Sequence, residues 1–341
     1  MSVPKAVLYY SPDSVWSSAA LLALEEKGYA DDELDRKAVD LGKGENFSVS
    51  FLRLNPKATV PTLVVPFHDS LSEDVESRYK ALTETKAIIE FLDKSRSPLS
   101  RTHTTSTAPA PSLAPATIAF SAASSAMVDI IHAMEVSPDV LMLVNARDEA
   151  ALTTLAKTVV PFLEGRQTAL ATHISDAEAD KIQVSERVKK LWRDKLSETE
   201  QLLSVLRDAD IAGDALDADG KTKRAEFFTK AKAAWEVALK DTLVKLNKEI
   251  IGPYALGDQL SIADLHVGAW MERVVVLAGG ARTDDGSAAV GKLEAAVGGG
   301  FALPRDFQVV DVRRKEGAAV SKLAGFWDAM TERASWKKVY V

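Results

Sequence analysis

A proline stands directly before a short apolar run in Val60-Pro61-Thr62-Leu63-Val64-Val65, and no other feature restricts the local fold as strongly. Proline has no backbone N–H to give to a ladder, so Pro61 must open a strand or lie on an edge. A second signal follows in Leu82-Thr83-Glu84-Thr85-Lys86-Ala87-Ile88-Ile89. There an acid and a hydroxyl stand immediately before a helical run, the arrangement of a helix N-terminus that can also hold charged ligand groups.

The surrounding pattern alternates strand and helix. Residues 6–10 are β-prone, 17–27 carry Ala, Leu and Glu at helical spacing, and Gly28 stops that helix as a C′ glycine should. Val39 and Leu41 suggest a second strand, Phe51 and Leu52 a brief helix, 62–67 a third strand and 83–93 a closing helix. The long polar segment 68–80 is expected to hold a weak fourth strand. The order β-α-β then β-β-α implies an α/β thioredoxin-like domain over residues 1–95. Residues 96–115, rich in Ser, Thr, Pro and Ala, read as a linker or mobile loop. Residues 116–341 read as an all-helical domain, with candidate helices at 116–136, 150–164, 175–209, 221–250, 261–278 and 318–333.

Bulk properties exclude several functions. The 341 residues allow two domains. Lys and Arg number 42 against 49 Asp and Glu, and no basic stripe is interleaved with aromatics, so nucleic acid is not an expected partner. No cysteine is present, which removes disulfides, thiolate metal sites and any protein-supplied thiol nucleophile. The five histidines show no metal-ligand spacing, and no metal is expected. Without a leader-like N-terminus or a membrane-length apolar segment, a soluble, cytoplasmic protein is expected.

Taken together, the Val60-Pro61 and Glu84-Thr85 motifs resemble the glutathione site of the glutathione transferase superfamily. Two further stretches support the resemblance. Gly257-Asp258-Gln259-Leu260-Ser261-Ile262-Ala263-Asp264-Leu265 is similar to the family's N-capping box, with Ser261 as cap and Asp264 reaching back to it. Arg333-Ala334-Ser335 resembles the family's closing Arg-Pro-Ser, with alanine in place of proline. The resemblance spans nearly the whole chain and is nearest to divergent serine-type members such as those of fungi. It implies a glutathione transferase fold with an enlarged C-terminal domain. Between Met134 and Phe227 lies a segment that does not align, and within it 175–209 reads as an extra or extended amphipathic helix that roofs the substrate site or widens a dimer interface.

Site residues follow from the resemblance. It implies a cis Val60-Pro61 bond whose Val60 backbone pairs with the tripeptide as an added strand. Glu84 and Thr85 hold the γ-glutamyl end, Lys57 the glycyl carboxylate, and Thr59 the tripeptide backbone. Glutathione's thiol has a pKa near that of free cysteine, about 8.5, so an enzyme must stabilise the thiolate with donors or a helix dipole. The loop Tyr10-Ser11-Pro12-Asp13-Ser14-Val15-Trp16-Ser17-Ser18 brings four serine hydroxyls to a helix start. Counted back from Glu26-Lys27-Gly28, the serine-type pattern falls on Ser14, and the tyrosine-type pattern falls on Tyr10 as runner-up. Many serine-type members carry an arginine after the serine, where this chain has Ala19 and Ala20.

The resemblance further implies a wall for an apolar electrophile drawn from Trp16, Met127, Ile131 and Met134, with His132 nearby. The expected activity is conjugation of glutathione to hydrophobic electrophiles. A ligandin-like carrier with the same fold and little turnover is the alternative. The family's subunit contacts imply a homodimer, for which light scattering should give about twice the 36.8 kDa chain mass; a monomer that binds glutathione would contradict it.

Overall fold

The computed structural model describes residues 5–66, 79–97, 104–308 and 319–340. Four strands, β1 (Ala6–Tyr10), β2 (Leu34–Ala38), β3 (Thr62–Pro66) and β4 (Tyr79–Leu82), form one mixed sheet in the order β2-β1-β3-β4. β1 runs parallel to β2 and antiparallel to β3, and β4 is antiparallel to β3. Helix α1 (Val15–Glu26) links β1 to β2, α2 (Val49–Leu54) precedes β3, and α3 (Thr85–Ser95) follows β4. This is the thioredoxin-like order that the sequence implies, and Pro61 immediately precedes β3 across a cis bond. Residues 67–78, most of the polar segment expected to hold the fourth strand, lie outside the described residues; β4 begins at its far end.

The second strand is not where Val39 and Leu41 suggested it. It is Leu34-Asp35-Arg36-Lys37-Ala38, whose last four residues are all exposed. An edge strand with charged side chains has no apolar alternation to read, and charge on an edge blunts pairing with other chains. Val39 and Leu41 instead pack just past it, in a small core with Tyr9, Phe51 and Val60.

The helical part also differs from expectation. After α4 (Ile118–Ile131) and α5 (Pro138–Leu143), one 30-residue helix, α6 (Glu149–Glu178), runs straight through Pro161. The anticipated helix at 175–209 is broken: the chain turns at Asp180, whose φ is 54°, and α7 (Glu186–Leu206) returns against α6 as a helical hairpin. Ser185 caps α7 by accepting from the Val188 N–H. Further on come α8 (Ala218–Lys232), a wider π turn at Ala233–Ala238, α9 (Leu239–Glu249), α10 (Ile262–Leu277), α11 (Gly286–Val297), α12 (Lys322–Thr331) and α13 (Ala334–Tyr340). The alanine- and glycine-rich α11 carries too few large apolar residues to be conspicuous in the sequence. The expected start of the last long helix at 318 lies outside the described residues.

By contact density the chain divides into two units. One comprises Met1–Ser17, Asp32–Thr85 and Leu143–Ala231; the other comprises Ser18–Asp31, Lys86–Met142 and Lys232–Val341. The α6–α7 hairpin groups with the sheet, and most of α1 and α3 group with the later helices.

The second unit is organised around α10, which is buried on every side except near its end. Its start is the anticipated capping box: the Asp264 carboxylate accepts from the Ser261 N–H at 2.7 Å, the Ser261 hydroxyl at 2.6 Å and the Ala255 N–H at 2.6 Å. Burial raises the Asp264 pKa to about 6 against the pull of those bonds. Buried tryptophans close the unit while satisfying their indole N–H, Trp270 on the Val136 carbonyl and Trp235 on that of Leu141. Arg333 grips the Glu26 carboxylate with two bonds of 2.5 Å and donates to the Tyr254 hydroxyl at 2.9 Å. Ser335 donates to the same carboxylate.

The presumed mobile linker is a pinned strap over its described part, 104–115. Arg96 donates to the carbonyls of Ala108 at 2.9 Å and of Ser106 and Pro109 at 3.3 Å, and also to Lys27 O. The Asp93 carboxylate accepts from the Leu113 and Ala114 N–H groups at 2.9 and 3.1 Å and from the Lys27 ammonium at 2.8 Å. Gly28, with φ 67°, passes so close that a Cβ there would stand 2.7 Å from Ala108 Cβ. Polar composition suggested motion; charged partners from elsewhere in the chain supply the order.

Candidate active site

The first unit brings Ser14 to Val60. Ser14 immediately precedes α1 and caps it, its Oγ accepting from the Ser17 N–H at 3.2 Å. The same Oγ donates to the Val60 carbonyl at 3.4 Å, next to Pro61. Among the described residues, nothing uses the Val60 N–H. Burial separates the four serines. Ser11, Ser17 and Ser18 are 2%, 0% and 7% exposed, whereas Ser14 is half-buried. Ser17 is further committed, since its hydroxyl accepts from the Ser11 N–H at 3.2 Å. The first turn of α1 contains no acid, so the positive helix end carries no carboxylate of its own there. Ala19 and Ala20 are fully buried.

Tyr10 ends β1 half-buried, and its carbonyl accepts from the Val39 N–H at 2.8 Å. Its neighbour Tyr9 packs on the other side of the strand, edge-on to Phe51.

A residue that sequence reasoning missed shapes the loop before Pro61. Asn55 is fully buried, and its Nδ2 donates to Thr59 O at 2.8 Å, Thr59 Oγ1 at 2.9 Å and Thr62 Oγ1 at 3.0 Å. Its Oδ1 accepts from the Lys57 N–H at 3.0 Å. Asn46 adds a bond of 2.8 Å to the carbonyl of Ala58, which has φ 56°. A non-glycine residue in the left-handed region costs about 1 kcal/mol or more and persists only when its surroundings fix it; the two asparagines do so. A buried side-chain amide in a loop between apolar residues was the available signal, and nothing local says which carbonyls it will meet.

Lys57 and Glu84 meet each other. They form an ion pair between side chains more than half exposed, joining the loop to the start of α3, where Thr85 is buried. Thr59 is exposed and already accepts from Asn55, which leaves its hydroxyl hydrogen to donate outward. Ser14, Val60, Pro61, Lys57, Thr59, Glu84 and Thr85 all belong to the first unit.

The residues expected to form an apolar wall differ in burial. Met127 and Ile131 are 1% and 0% exposed, in the core of the second unit, whereas Met134 is 76% exposed in a short turn. Trp16, half-buried, belongs to the first unit. Helical spacing aligned the two buried residues on one face but could not reveal that this face is sealed. His132 caps α4 and lies 3.1 Å, Nε2 to Nδ1, from His266. Burial, followed by the nearby His132 and Lys86, pushes the His266 pKa down to about 3, so that ring stays neutral near pH 7. Asp217, just before α8, accepts from the Gly220 N–H at 2.7 Å as a helix cap.

Residues 13–95 match the family model described as the N-terminal domain of glutathione S-transferase. Over 64 residues the chain is 45% identical to the tetrachloro-p-hydroquinone reductive dehalogenase of Sphingobium chlorophenolicum, a match that covers 18% of this chain and 25% of that protein. The chain thus spans about a quarter of the length of the curated relative. Two solved structures superpose loosely. Glutathione transferase Omega 3C of Trametes versicolor is 18% identical at a TM-score of 0.46, covering 99% of this chain and 85% of that one. A glutathione transferase homologue from Sulfitobacter with bound glutathione is 16% identical at 0.39, covering 98% and 96%.

Proposed function

We propose that the chain is a member of the glutathione transferase superfamily, whose N-terminal domain its residues 13–95 match, and that it binds glutathione and activates its thiol for attack on small hydrophobic electrophiles. The observation that carries the reading is the meeting of a half-buried hydroxyl, a helix N-terminus and an available backbone N–H at Ser14, α1 and Val60. A cysteinyl residue laid along Val60 as an added strand bonds its N–H and C=O. Its sulfur then lies beside Ser14, whose hydroxyl turns from the Val60 carbonyl to donate to the thiolate. The 3.4 Å bond that is given up is long and therefore weak.

Charge recognition follows the same logic. An exposed Lys–Glu pair is worth about 0–1 kcal/mol, so a ligand replaces it at little cost. Glu84 takes the γ-glutamyl ammonium, Thr85 and the amides at the start of α3 take the adjacent carboxylate, and Lys57 takes the glycyl carboxylate. In transfer, the thiolate sulfur forms a bond to the electrophilic carbon, a leaving group departs with its electron pair or an unsaturated acceptor takes up a proton, and the thiol proton has already passed to solvent. No metal enters this scheme. Trp16 lines the acceptor side. The protein is a homodimer in this reading. Reduced glutathione is kept reduced by the poise of the cytosol, which supports a cytoplasmic location and a role in detoxification of xenobiotics.

The matched relative's reductive dehalogenation bears on a second use of the same thiolate. This chain has no cysteine, so a reduction here would consume two glutathione molecules, the second resolving the conjugate of the first as glutathione disulfide. A ligandin-like carrier with the same fold and little turnover is the alternative reading.

Calorimetric titration separates these outcomes. Glutathione should bind the unaltered protein in the micromolar to millimolar range usual for enzyme substrates, and Glu84→Gln should weaken binding about tenfold through loss of a charge-assisted contact. Binding without turnover of any aromatic electrophile would assign the carrier role, and absence of binding would sink the proposal.

A further inference from the structure

The α6–α7 hairpin lies against the back of the glutathione loop, and we infer that it is a positioning element that sets glutathione affinity; this inference rests on the function proposed above. Trp192 of α7 is fully buried and donates its indole N–H to the Phe47 carbonyl at 3.0 Å, across 145 residues of chain. His173 of α6 stacks on the same indole, with ring centroids 5.1 Å apart and planes 20° apart. Phe47, Leu52 and Ala58 form one buried cluster with Leu170, Ala177 and Trp192. The hairpin thereby touches α2 through Leu52 and the segment before Pro61 through Ala58.

Close backbone approach reinforces the contact. A Cβ at Gly165 would stand 2.2 Å from the Gly42 carbonyl oxygen, so only glycine lets α6 come this near. The Arg166 guanidinium lies 5.3 Å over the Phe47 ring.

From this buttress a short path leads to the ligand groups. Phe47 follows Asn46, whose amide holds the Ala58 carbonyl at 2.8 Å. Ala58, in its left-handed conformation, stands between Lys57 and Thr59 and two residues before Val60. On its other side, α2 presents Phe51 to Val60 and Tyr9. A shift of Phe47 therefore reaches the Val60 backbone by two routes. The hairpin belongs to the same unit as the sheet, and Leu170, Ala177 and Trp192 of its apolar seam join this contact. This contact is additional to the two roles expected from the sequence, roof or dimer interface.

Two substitutions disturb the contact differently. Trp192→Phe keeps a ring and removes the donor to Phe47; Gly165→Ala pushes on the 42–44 turn. Each should weaken glutathione binding about fivefold or more while turnover at saturating glutathione stays within about twofold, because the reacting atoms keep their partners once the ligand is seated. Val205→Ala, a buried α7 position outside the cluster, controls for stability: it should lower the melting temperature and leave affinity unchanged. Hydrogen exchange of the ligand-free proteins should be faster over residues 44–60 in the first two variants and not in the third. If unaltered protein and variants bind glutathione equally well, the inference is overturned alone. Failure of the unaltered protein to bind overturns it together with the functional reading. Equal loss of affinity in Val205→Ala would reduce the hairpin to a general stabiliser and overturn the positioning role.

Discussion

Ser14→Ala is expected to raise the kinetic pKa of bound glutathione by about one to two units and to lower turnover at neutral pH roughly tenfold or more. A hydroxyl donated to a thiolate is worth about 1.5–3 kcal/mol, and about 1.4 kcal/mol corresponds to one pKa unit. The sign follows from which form is favoured: the bond stabilises the anion, so removing it raises the pKa and leaves less thiolate at pH 7. Because Ser14 also caps α1, the substitution should cost about 1 kcal/mol of stability as well. That loss is separable, since it appears in thermal unfolding and not in the position of the pH–rate inflection. Ser14→Thr retains a hydroxyl and should retain most of the pKa depression. Tyr10→Phe should act mainly through packing and move the inflection little. If Tyr10→Phe carries the shift and Ser14→Ala does not, the chemistry is tyrosine-type.

The largest expected effect on stability lies away from the site, at Asp93. Its carboxylate and the Lys27 ammonium are 5% and 1% exposed, and the ammonium is completed by the Pro111 carbonyl at 2.6 Å. Removing one member of a buried pair leaves an uncompensated charge and costs about 3–5 kcal/mol. Asp93→Ala also orphans the Leu113 and Ala114 amides. At about 2–4 °C per kcal/mol for a unit of this size, the midpoint of unfolding should fall by roughly 10 °C. The double variant Lys27→Met/Asp93→Leu removes both charges and should recover much of the loss, because apolar replacement of a whole buried pair is often neutral. A drop below about 1 kcal/mol in Asp93→Ala would mean that water reaches Lys27 and that the strap is held by other contacts.

The sequence was most legible where the chemistry is local. Gly28 ends α1 with φ 67°, as the helix pattern before it required. Ser261 and Asp264 meet across three residues, and their capping bond depends on nothing further away. Pro61 opens β3 because it has no N–H to offer. Edge strand β2 was misread, since exposed charged residues carry no periodicity, and the turn at Asp180 was missed because the polar residues around it are acceptable in a helix.

What the sequence by itself determined is the order of elements and the local devices at their ends, together with the candidates for each site role. Only the tertiary structure decided which candidates are presented. Spacing from Glu26-Lys27-Gly28 singled out Ser14 among four serines, and packing buries the other three. Met127, Ile131 and Met134 shared a helical stripe, and packing buried two while leaving the third in solvent. Lys57 with Glu84, Lys27 with Asp93, His132 with His266, and Trp192 with Phe47 are joined over long stretches of chain. The physical reason is range: caps, turns and proline geometry act within a few residues. Burial and ion pairing depend on which surfaces meet when the whole chain is packed.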